Sequence, residues 1–296
     1  MAVGTAGQKA DLREPASWRR TKNRIATVLM VVSFVLVIIP LGFVLFTVLA
    51  KGASVISWSF LTSSIPPSVL PANVGGMGPA IVGTIEITAL ATIMAVPLGI
   101  LGAVYLNEYG GNGALARFIG FMADVMTGVP SIVMGLFIFS IWVLHFGYSG
   151  LAGAFALGCL MLPIVIRSTD EMLKLVPDPL REASYALGAT KARVTVTVVL
   201  PAAIAGIVSG ALLAVARAAG ETAPLLFTIL TVTEVNRNVF SGTNTSLPSQ
   251  IFVNASQPYV GAQARGWGAA LTLIAIAFIL MIAARLVTAR FSRYLR

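Results

Sequence analysis

Long apolar runs separated by short polar segments dominate the chain. A helical crossing of a bilayer needs about 20 predominantly apolar residues, and six runs reach or approach that length with few charges. They cover residues 25–50, 80–106, 118–144, 150–170, 202–231 and 267–287. The pattern predicts an all-α membrane protein with six transmembrane helices.

The runs also predict how the chain is organised. The expected parts are a basic N-terminal tail (1–24), a first transmembrane helix (25–50), an outer loop (51–79), a five-helix core (80–287) with an inner loop at 174–201, and a basic tail (288–296). The outer segments 51–79 and 232–266 are rich in Ser, Thr, Asn, Pro and Gly. This composition indicates irregular surface loops with little core of their own.

Composition excludes several classes of protein. Hydrophobic residues make up 57% of the chain and charged residues 10%, against about 25% charged in a soluble domain. With one cysteine, Cys159, and one histidine, His145, the chain offers neither an internal disulfide framework nor a Cys/His metal centre. The net charge of +9 lies beside the apolar runs, which argues against a nucleic-acid partner.

Lysine and arginine are concentrated in alternate segments between the runs. Positively charged loops are retained on the cytoplasmic side of a membrane, so this asymmetry predicts the orientation. The basic residues before the first run, Arg117, those of the 174–201 loop and those of the C-terminal tail fall on one side. Only Lys51, Arg237 and Arg265 fall on the other. We expect both termini in the cytoplasm.

The 174–201 loop contains a pattern for a short docking helix. Pro177 and Pro179 are expected to end the preceding helix, because proline cannot continue the hydrogen-bond ladder. Residues 180–187 then predict a short amphipathic helix, and Gly188 is suited to end it with a left-handed cap. Such a helix can dock into a groove on a partner. The alternative is an ordinary interfacial helix that only links two spans.

This loop resembles a motif of the permease subunits of ATP-binding-cassette (ABC) importers, E-A-A-x3-G-x9-I-x-L-P. The matching positions are Glu182, Ala183, Ser184, Gly188, Val198, Leu200 and Pro201. Ser184 and Val198 depart mildly from the motif. The resemblance implies that residues 180–188 form a coupling helix, which sits in a cleft of an ATPase subunit and transmits its closure to the membrane helices.

Three further segments are similar to the permeases of phosphate-specific ABC importers: ILGAVYLNEYGG (100–111), GVPSIVMGLF (128–137) and RAAGETAPLLFT (217–228). The continuation APLLFT favours the PstA family over the related PstC family. The resemblance implies a type I, MetI-like fold in a bacterial cell membrane. It also implies a heterodimer with PstC, an ATPase dimer that binds ATP and magnesium, an extracytoplasmic phosphate-binding protein, and phosphate as the substrate.

The chain itself is not expected to be an enzyme or to hold a cofactor. It contains no G-x4-G-K-[ST] loop, so ATP would be hydrolysed by a separate subunit.

Charged residues inside the fifth predicted span indicate a substrate pathway, because buried charges in membranes usually face a cavity or a partner. Arg217 and Glu221 lie four residues apart, on one helix face and in the predicted outer half of the membrane. Glu86 is a candidate counter-ion from the second span. Gly220 and Pro224 predict a helix break next to Thr222, since proline leaves the Gly220 carbonyl without its helical donor. The alternative is an Arg–Glu pair that only holds the helix bundle together.

The third predicted span offers a weaker candidate. Gly128 and Pro130 are expected to bend it, and Ser131 could then present a hydroxyl or backbone N–H group to a cavity; the alternative is a simple packing kink. Several other charges lie near the inner span ends, where ion pairs between subunits or at the lipid surface are expected: Asp124, Arg167, Asp170 and Glu171.

The function predicted from these features is the permease half of an ATP-driven phosphate importer. A permease for another oxyanion, sulfate or molybdate, would keep the coupling loop and change the cavity. An ion-coupled secondary transporter would use Glu86, Arg217 and Glu221 as a relay and would need no ATPase. A membrane scaffold or sensor would not transport at all.

Overall fold

Every regular element in the computed structural model, which describes residues 16–111 and 113–294, is helical. The helices are α1 (Ala16–Ala53), α2 (Trp58–Thr62), α3 (Gly78–Val104), α4 (Ala114–Gly128), α5 (Ser131–Ile138), α6 (Leu144–Phe146), α7 (Gly150–Lys174), α8 (Asp178–Ala186), α9 (Lys191–Val194), α10 (Leu200–Ala219), α11 (Ala223–Thr228), α12 (Leu247–Ala255) and α13 (Val260–Tyr294). Three π-helical turns extend α3, join α5 to α6 and join α9 to α10: Tyr105–Tyr109, Phe139–Val143 and Thr195–Val199. The predicted tails 1–24 and 288–296 lie partly outside the described residues, which omit 1–15 and 295–296.

The all-helical membrane prediction is confirmed. Five helical stretches are long and apolar enough to cross a membrane, and the pair α4–α5/α6 makes a sixth if its two halves count as one span. The halves meet at an angle of 108°, at the Gly128–Pro130 segment where the sequence predicted a bend. The third span is therefore a sharply broken helix, or a re-entrant one, rather than a gently kinked rod.

The chain divides into two compact units, residues 1–49 and 50–296. The described part of the first unit is a single helix, most of α1, and most of its described apolar side chains are exposed. The second unit contains the remaining helices and has several buried apolar clusters.

Small residues let the helices at the centre of the second unit approach closely. A Cβ atom added to Gly99 of α3 would lie 2.7 Å from Val165 Cγ1 of α7, and one added to Gly206 of α10 would lie 2.2 Å from Met172 Sδ of α7. Close approach of this kind replaces the hydrophobic driving force that is absent in lipid. Helix α7 is thus packed between α3 and α10.

The segments predicted to be outer loops are more ordered than their composition indicated. Phe60, Ile65 and Met77 are buried together with Leu247 of α12 and form a cluster with Ala269. Residues 51–79 and 232–266 also contribute the helices α2 and α12. The expectation of irregular loops with little core was therefore wrong, because scattered apolar side chains in both segments pack against α13 and against each other.

The fifth predicted span begins earlier and ends earlier than 202–231. Residues Lys191–Ala219 form one continuous stretch, and Pro201 lies within it. Pro201 has no N–H to give to the Thr197 carbonyl, and the turn before it widens so that Leu200 N bonds Thr195 O, five residues back. The proline is accommodated by a π-helical turn instead of ending the helix.

Candidate functional site

The short helix predicted in the 174–201 loop is present as α8, Asp178–Ala186. Asp178 lies in its first turn, where a negative charge complements the helix dipole, and Pro179 also lies there. Pro179 therefore starts this helix, whereas we expected it to help end the preceding one. Helix α7 has already ended at Lys174.

Gly188 ends α8 as predicted. Its φ is +81°, in the left-handed region, and its N–H bonds the Tyr185 carbonyl at 2.9 Å. The N–H of Ala189 bonds the Ser184 carbonyl at 3.2 Å, which completes a Schellman motif. The turn after the helix is thereby fixed.

One face of α8 is free for a partner. Glu182 and Ala183 are exposed, and no residue of the helix is fully buried. Large apolar groups lie among them, since Tyr185 is 41% exposed and Leu187 is 88% exposed. Exposed apolar residues beside a charge, on a helix that ends in a fixed turn, form a surface suited to docking.

The structure separates the two halves of the loop motif. Glu182, Ala183, Ser184 and Gly188 lie together on α8 and its cap, whereas Leu200 and Pro201 begin the long helix α10. Leu200 packs against a cluster that includes Val176 and Val199, and Ala189 packs there too. This half of the motif therefore supports the segments on both sides of α8.

The predicted helix break next to Arg217 is also present. Helix α10 ends at Ala219, Gly220 occupies its C-cap, and α11 begins at Ala223 with Pro224 in its first turn. Arg217 consequently lies in the last turn of α10. Gly135 of α5 touches the second helix of the break, since a Cβ atom there would lie 2.6 Å from Pro224 Cα. The broken third span thus packs against the broken fifth.

A cavity of about 260 Å³ lies where the two breaks meet. Ser131, Arg217 and Glu221, three of the predicted pathway residues, line it together with Met126, Thr127, Val129, Pro130, Leu160, Pro163 and Ile164. Arg217 Nε is 3.8 Å from Glu221 Oε1, a distance beyond hydrogen bonding. The Arg217 side chain is 71% exposed and that of Glu221 22%. The cavity thus presents a cation held near, but not bonded to, a carboxylate.

Two other predicted pathway residues lie apart from this cavity. Glu86 on α3 does not line it, and its Oε2 atom is buried without a hydrogen-bond partner among the described residues. Thr222 occupies the N-cap position of α11, where its carbonyl accepts hydrogen bonds from Leu225 N and Leu226 N. The structure therefore joins Arg217 with Glu221 and Ser131, and not with Glu86.

The charges predicted near the inner span ends differ in part from expectation. Asp124 pairs with Arg167, but Asp170 is buried and its Oδ2 atom binds Lys174 Nζ of the same helix at 2.6 Å. The expected intersubunit or lipid-surface pair was wrong for Asp170, because it lies inside the chain. Glu108, which is 8% exposed and pairs with Arg181 of α8, was not predicted from the sequence.

The chain matches known proteins over most of its length. Residues 95–293 match the family described as "Binding-protein-dependent transport system inner membrane component". The phosphate transport system permease protein PstA 1 of Mycobacterium tuberculosis (strain CDC 1551 / Oshkosh) is 45% identical over 272 residues, which are 91% of this chain and 89% of that protein. The chain belongs to the PstA family. Another PstA relative, from Yersinia pestis, is 41% identical over 283 residues, 94% of each chain.

Solved structures similar to this PstA-family chain include ABC transporters. A structure of the MetNI methionine ABC transporter in an inward-facing conformation has a TM-score of 0.56 and 19% identity, and the match covers 73% of this chain and 94% of that one. A bacterial alginate ABC transporter has a TM-score of 0.64 and 12% identity, with 94% and 98% covered. These likenesses show the MetI-like permease fold.

Membership in the PstA family determines the general class of the protein. The chain is a multi-pass membrane permease subunit of an ABC importer and is not catalytic itself. ABC importer permeases work with a separate ATPase subunit and a substrate-binding protein.

Proposed function

We propose that this chain forms half of the translocation pathway of a phosphate importer and that Arg217 stabilises the passing anion. The observation that carries the proposal is the cavity at the two helix breaks, in which Arg217 and Glu221 lie side by side. The names of the PstA relatives support phosphate as the substrate.

The chemistry of the cavity suits a transient phosphate site. Arginine remains charged and offers planar N–H donors, which match a phosphate oxygen pair. Because the 3.8 Å separation from Glu221 is too long for a hydrogen bond, the donors of Arg217 remain available to an anion. Glu221 keeps the resting site near neutral, so that a bound anion can leave again. Ser131, at the N-terminal end of α5, adds a hydroxyl and the positive end of a helix dipole.

The exposure of Arg217 supports a paired pathway. A side chain that is 71% exposed within one chain can remain in the hydrocarbon region only if a partner or a water-filled route covers it. In the proposal this partner is PstC, so that the cavity opens onto a shared route between the two permeases.

The other subunits of the transporter are assigned from the coupling helix and from the uneven distribution of Lys and Arg. One ATPase subunit of a dimer, which binds ATP and magnesium, docks on the exposed face of α8, and an extracytoplasmic phosphate-binding protein delivers phosphate to the opposite side. The distribution of Lys and Arg supports both termini, and α8, on the cytoplasmic side.

Uptake by the reconstituted complex tests the proposal. The chain is assembled in liposomes with PstC, the ATPase and the binding protein, and ATP-dependent uptake of labelled phosphate and of labelled sulfate is compared. We expect phosphate uptake alone. Sulfate uptake at a similar rate would mean that the substrate is a broader class of oxyanions. Uptake without ATPase subunits would mean that the protein is an ion-coupled transporter and not an ATP-driven importer.

Arg217→Ala tests the site. We expect an assembled complex that has lost phosphate uptake. Leu213→Ala is the matched control, because Leu213 is one turn earlier on α10, is 64% exposed and carries no charge. Normal uptake by the Arg217→Ala complex would show that Arg217 does not stabilise the anion. It would favour an Arg–Glu pair that only supports the helix bundle.

A further inference from the structure

The C-terminal end of α3 is held by the helices that flank the coupling helix. This end is the π-helical turn Tyr105–Tyr109. Asn107 Nδ2 donates a hydrogen bond of 3.4 Å to Asp170 Oδ1 of α7. Lys191 Nζ, at the start of α9, lies 5.2 Å from the centroid of the Tyr109 ring, within the range of a cation–π contact. The turn therefore contacts both neighbours of α8.

Between these two contacts, the same turn reaches α8 itself. Arg181 Nε and Nη2 donate to Glu108 Oε1 at 3.2 and 3.0 Å. The side chains are 13% and 5% exposed, so both charges are withdrawn from water. Breaking a buried pair leaves an uncompensated charge behind, and for that reason such a pair resists separation far more than a surface pair does.

The remaining donors of Arg181 extend the connection to α7. Nη1 bonds the Val176 carbonyl at 2.6 Å and Nη2 bonds the Leu173 carbonyl at 3.1 Å. Nη1 also binds Asp178 Oδ1 at 3.1 Å, but that carboxylate is 84% exposed. One guanidinium thus connects the end of α7, the coupling helix and the end of α3. The peptide chain already joins α8 to α7 and α9. It does not join α8 to α3, so that connection depends on the side chains.

We propose that the buried Glu108–Arg181 pair is a second point of transmission, which moves α3 together with the coupling helix when the ATPase closes. The inference rests on the proposed function, because it needs a motor docked on α8. Glu108 and Arg181 are positioning residues in this scheme, since neither lines the cavity of Arg217. Movement reaches α10 through the chain and reaches α3 through the ion pair.

The first test measures phosphate taken up per ATP hydrolysed by the reconstituted complex. Glu108→Gln keeps the shape of the side chain and removes its charge. We expect the complex to assemble and to hydrolyse ATP, while the ratio falls by about 2- to 30-fold, the range over which single residues alter coupling between sites. Glu171→Gln is the matched control and keeps the wild-type ratio, because it makes the same change at an exposed glutamate of α7, outside the docking helix. An unchanged ratio for Glu108→Gln overturns the proposal.

The second test measures whether α3 and α8 move as one body. Spin labels are attached to cysteines that replace Leu101 on α3 and Asp178 on α8, both exposed, in a Cys159→Ala background. Their separation is measured in the complete complex with and without a non-hydrolysable ATP analogue. In the wild-type complex we expect the same separation with and without the analogue. In the Glu108→Gln complex we expect the separation to change when the analogue binds.

A separation that changes in the wild-type complex overturns the proposal, and so does one that stays constant in the Glu108→Gln complex. The wild-type measurement needs no change at the pair, so it decides the matter even if the variant does not fold. No phosphate is present in this experiment. A complex that behaves as expected here and takes up no phosphate would therefore contradict the proposed substrate and leave the transmission intact.

Discussion

Substitution of Gly188 isolates the contribution of backbone geometry to docking of the coupling helix. Its φ of +81° is unfavourable for a side-chain-bearing residue, and a Cβ atom there would meet nothing within 4 Å. Alanine therefore introduces no clash, and its cost is the left-handed conformation alone, about 1–2 kcal/mol. This cost shifts the population away from the observed turn by a factor of about 5 to 30. Asparagine tolerates the left-handed region better, so Gly188→Asn should lose less.

The assay is the affinity of the ATPase subunit for the permease complex in nanodiscs. Because only molecules with the correct turn bind well, the apparent Kd of Gly188→Ala should rise by up to about 5- to 30-fold, and that of Gly188→Asn by less. Gly120→Ala is the control, since Gly120 lies in a helix and a Cβ atom there also meets nothing within 4 Å. Equal affinities of the glycine and alanine complexes would refute the idea that this turn orients the docking surface.

Two predictions concern packing around the segments 51–79 and 232–266. Arg265 is fully buried and donates hydrogen bonds to the carbonyls of Pro67, Ser68, Leu70 and Pro71. Arg265→Gln should therefore lower the free energy of unfolding by about 3 kcal/mol or more and speed proteolysis of the 67–71 loop. Resistance to proteolysis equal to that of the wild type would contradict this. A Cβ atom at Gly83 would lie 2.0 Å from the Thr245 carbonyl oxygen, so Gly83→Ala should cost about 1–3 kcal/mol in thermal unfolding. Gly158→Ala, whose nearest contact is at 4.0 Å, is the control, and equal losses would contradict the packing argument.

Most of the helical architecture follows from the apolar runs, because a long apolar segment in lipid has few alternatives to a helix. Gly128 and Pro130 predicted a bend in the third span, but its size of 108° did not follow from them. The angle depends on packing at a distance in sequence, where Gly135 of α5 lies against Pro224 of α11. Local residues predicted the break, and tertiary contacts determine its geometry.

The coupling helix was predictable for a similar reason, since Gly188 and the prolines before it act locally. The start of the following helix was mispredicted because Lys191, Arg193 and Pro201 resemble loop residues, and the π-helical turn that accommodates the proline has no clear sequence pattern. Glu108 and Arg181 were not paired because they are 73 residues apart. Contacts of that separation are set by how helices pack.

Because of the π-helical turn Thr195–Val199, the number of residues in this segment determines the direction in which the preceding residues face. Such a turn holds one residue more than an α-helical turn, and each residue of a helix rotates the chain by about 100°. Deleting any one residue here would restore a regular helix and swing Lys191 away from the Tyr109 ring. Everything that precedes Lys191, including the docking surface, would then face a different direction, although its own side chains were unchanged. The number of residues in this turn, and not only their identity, would therefore determine whether the ATPase can dock on α8.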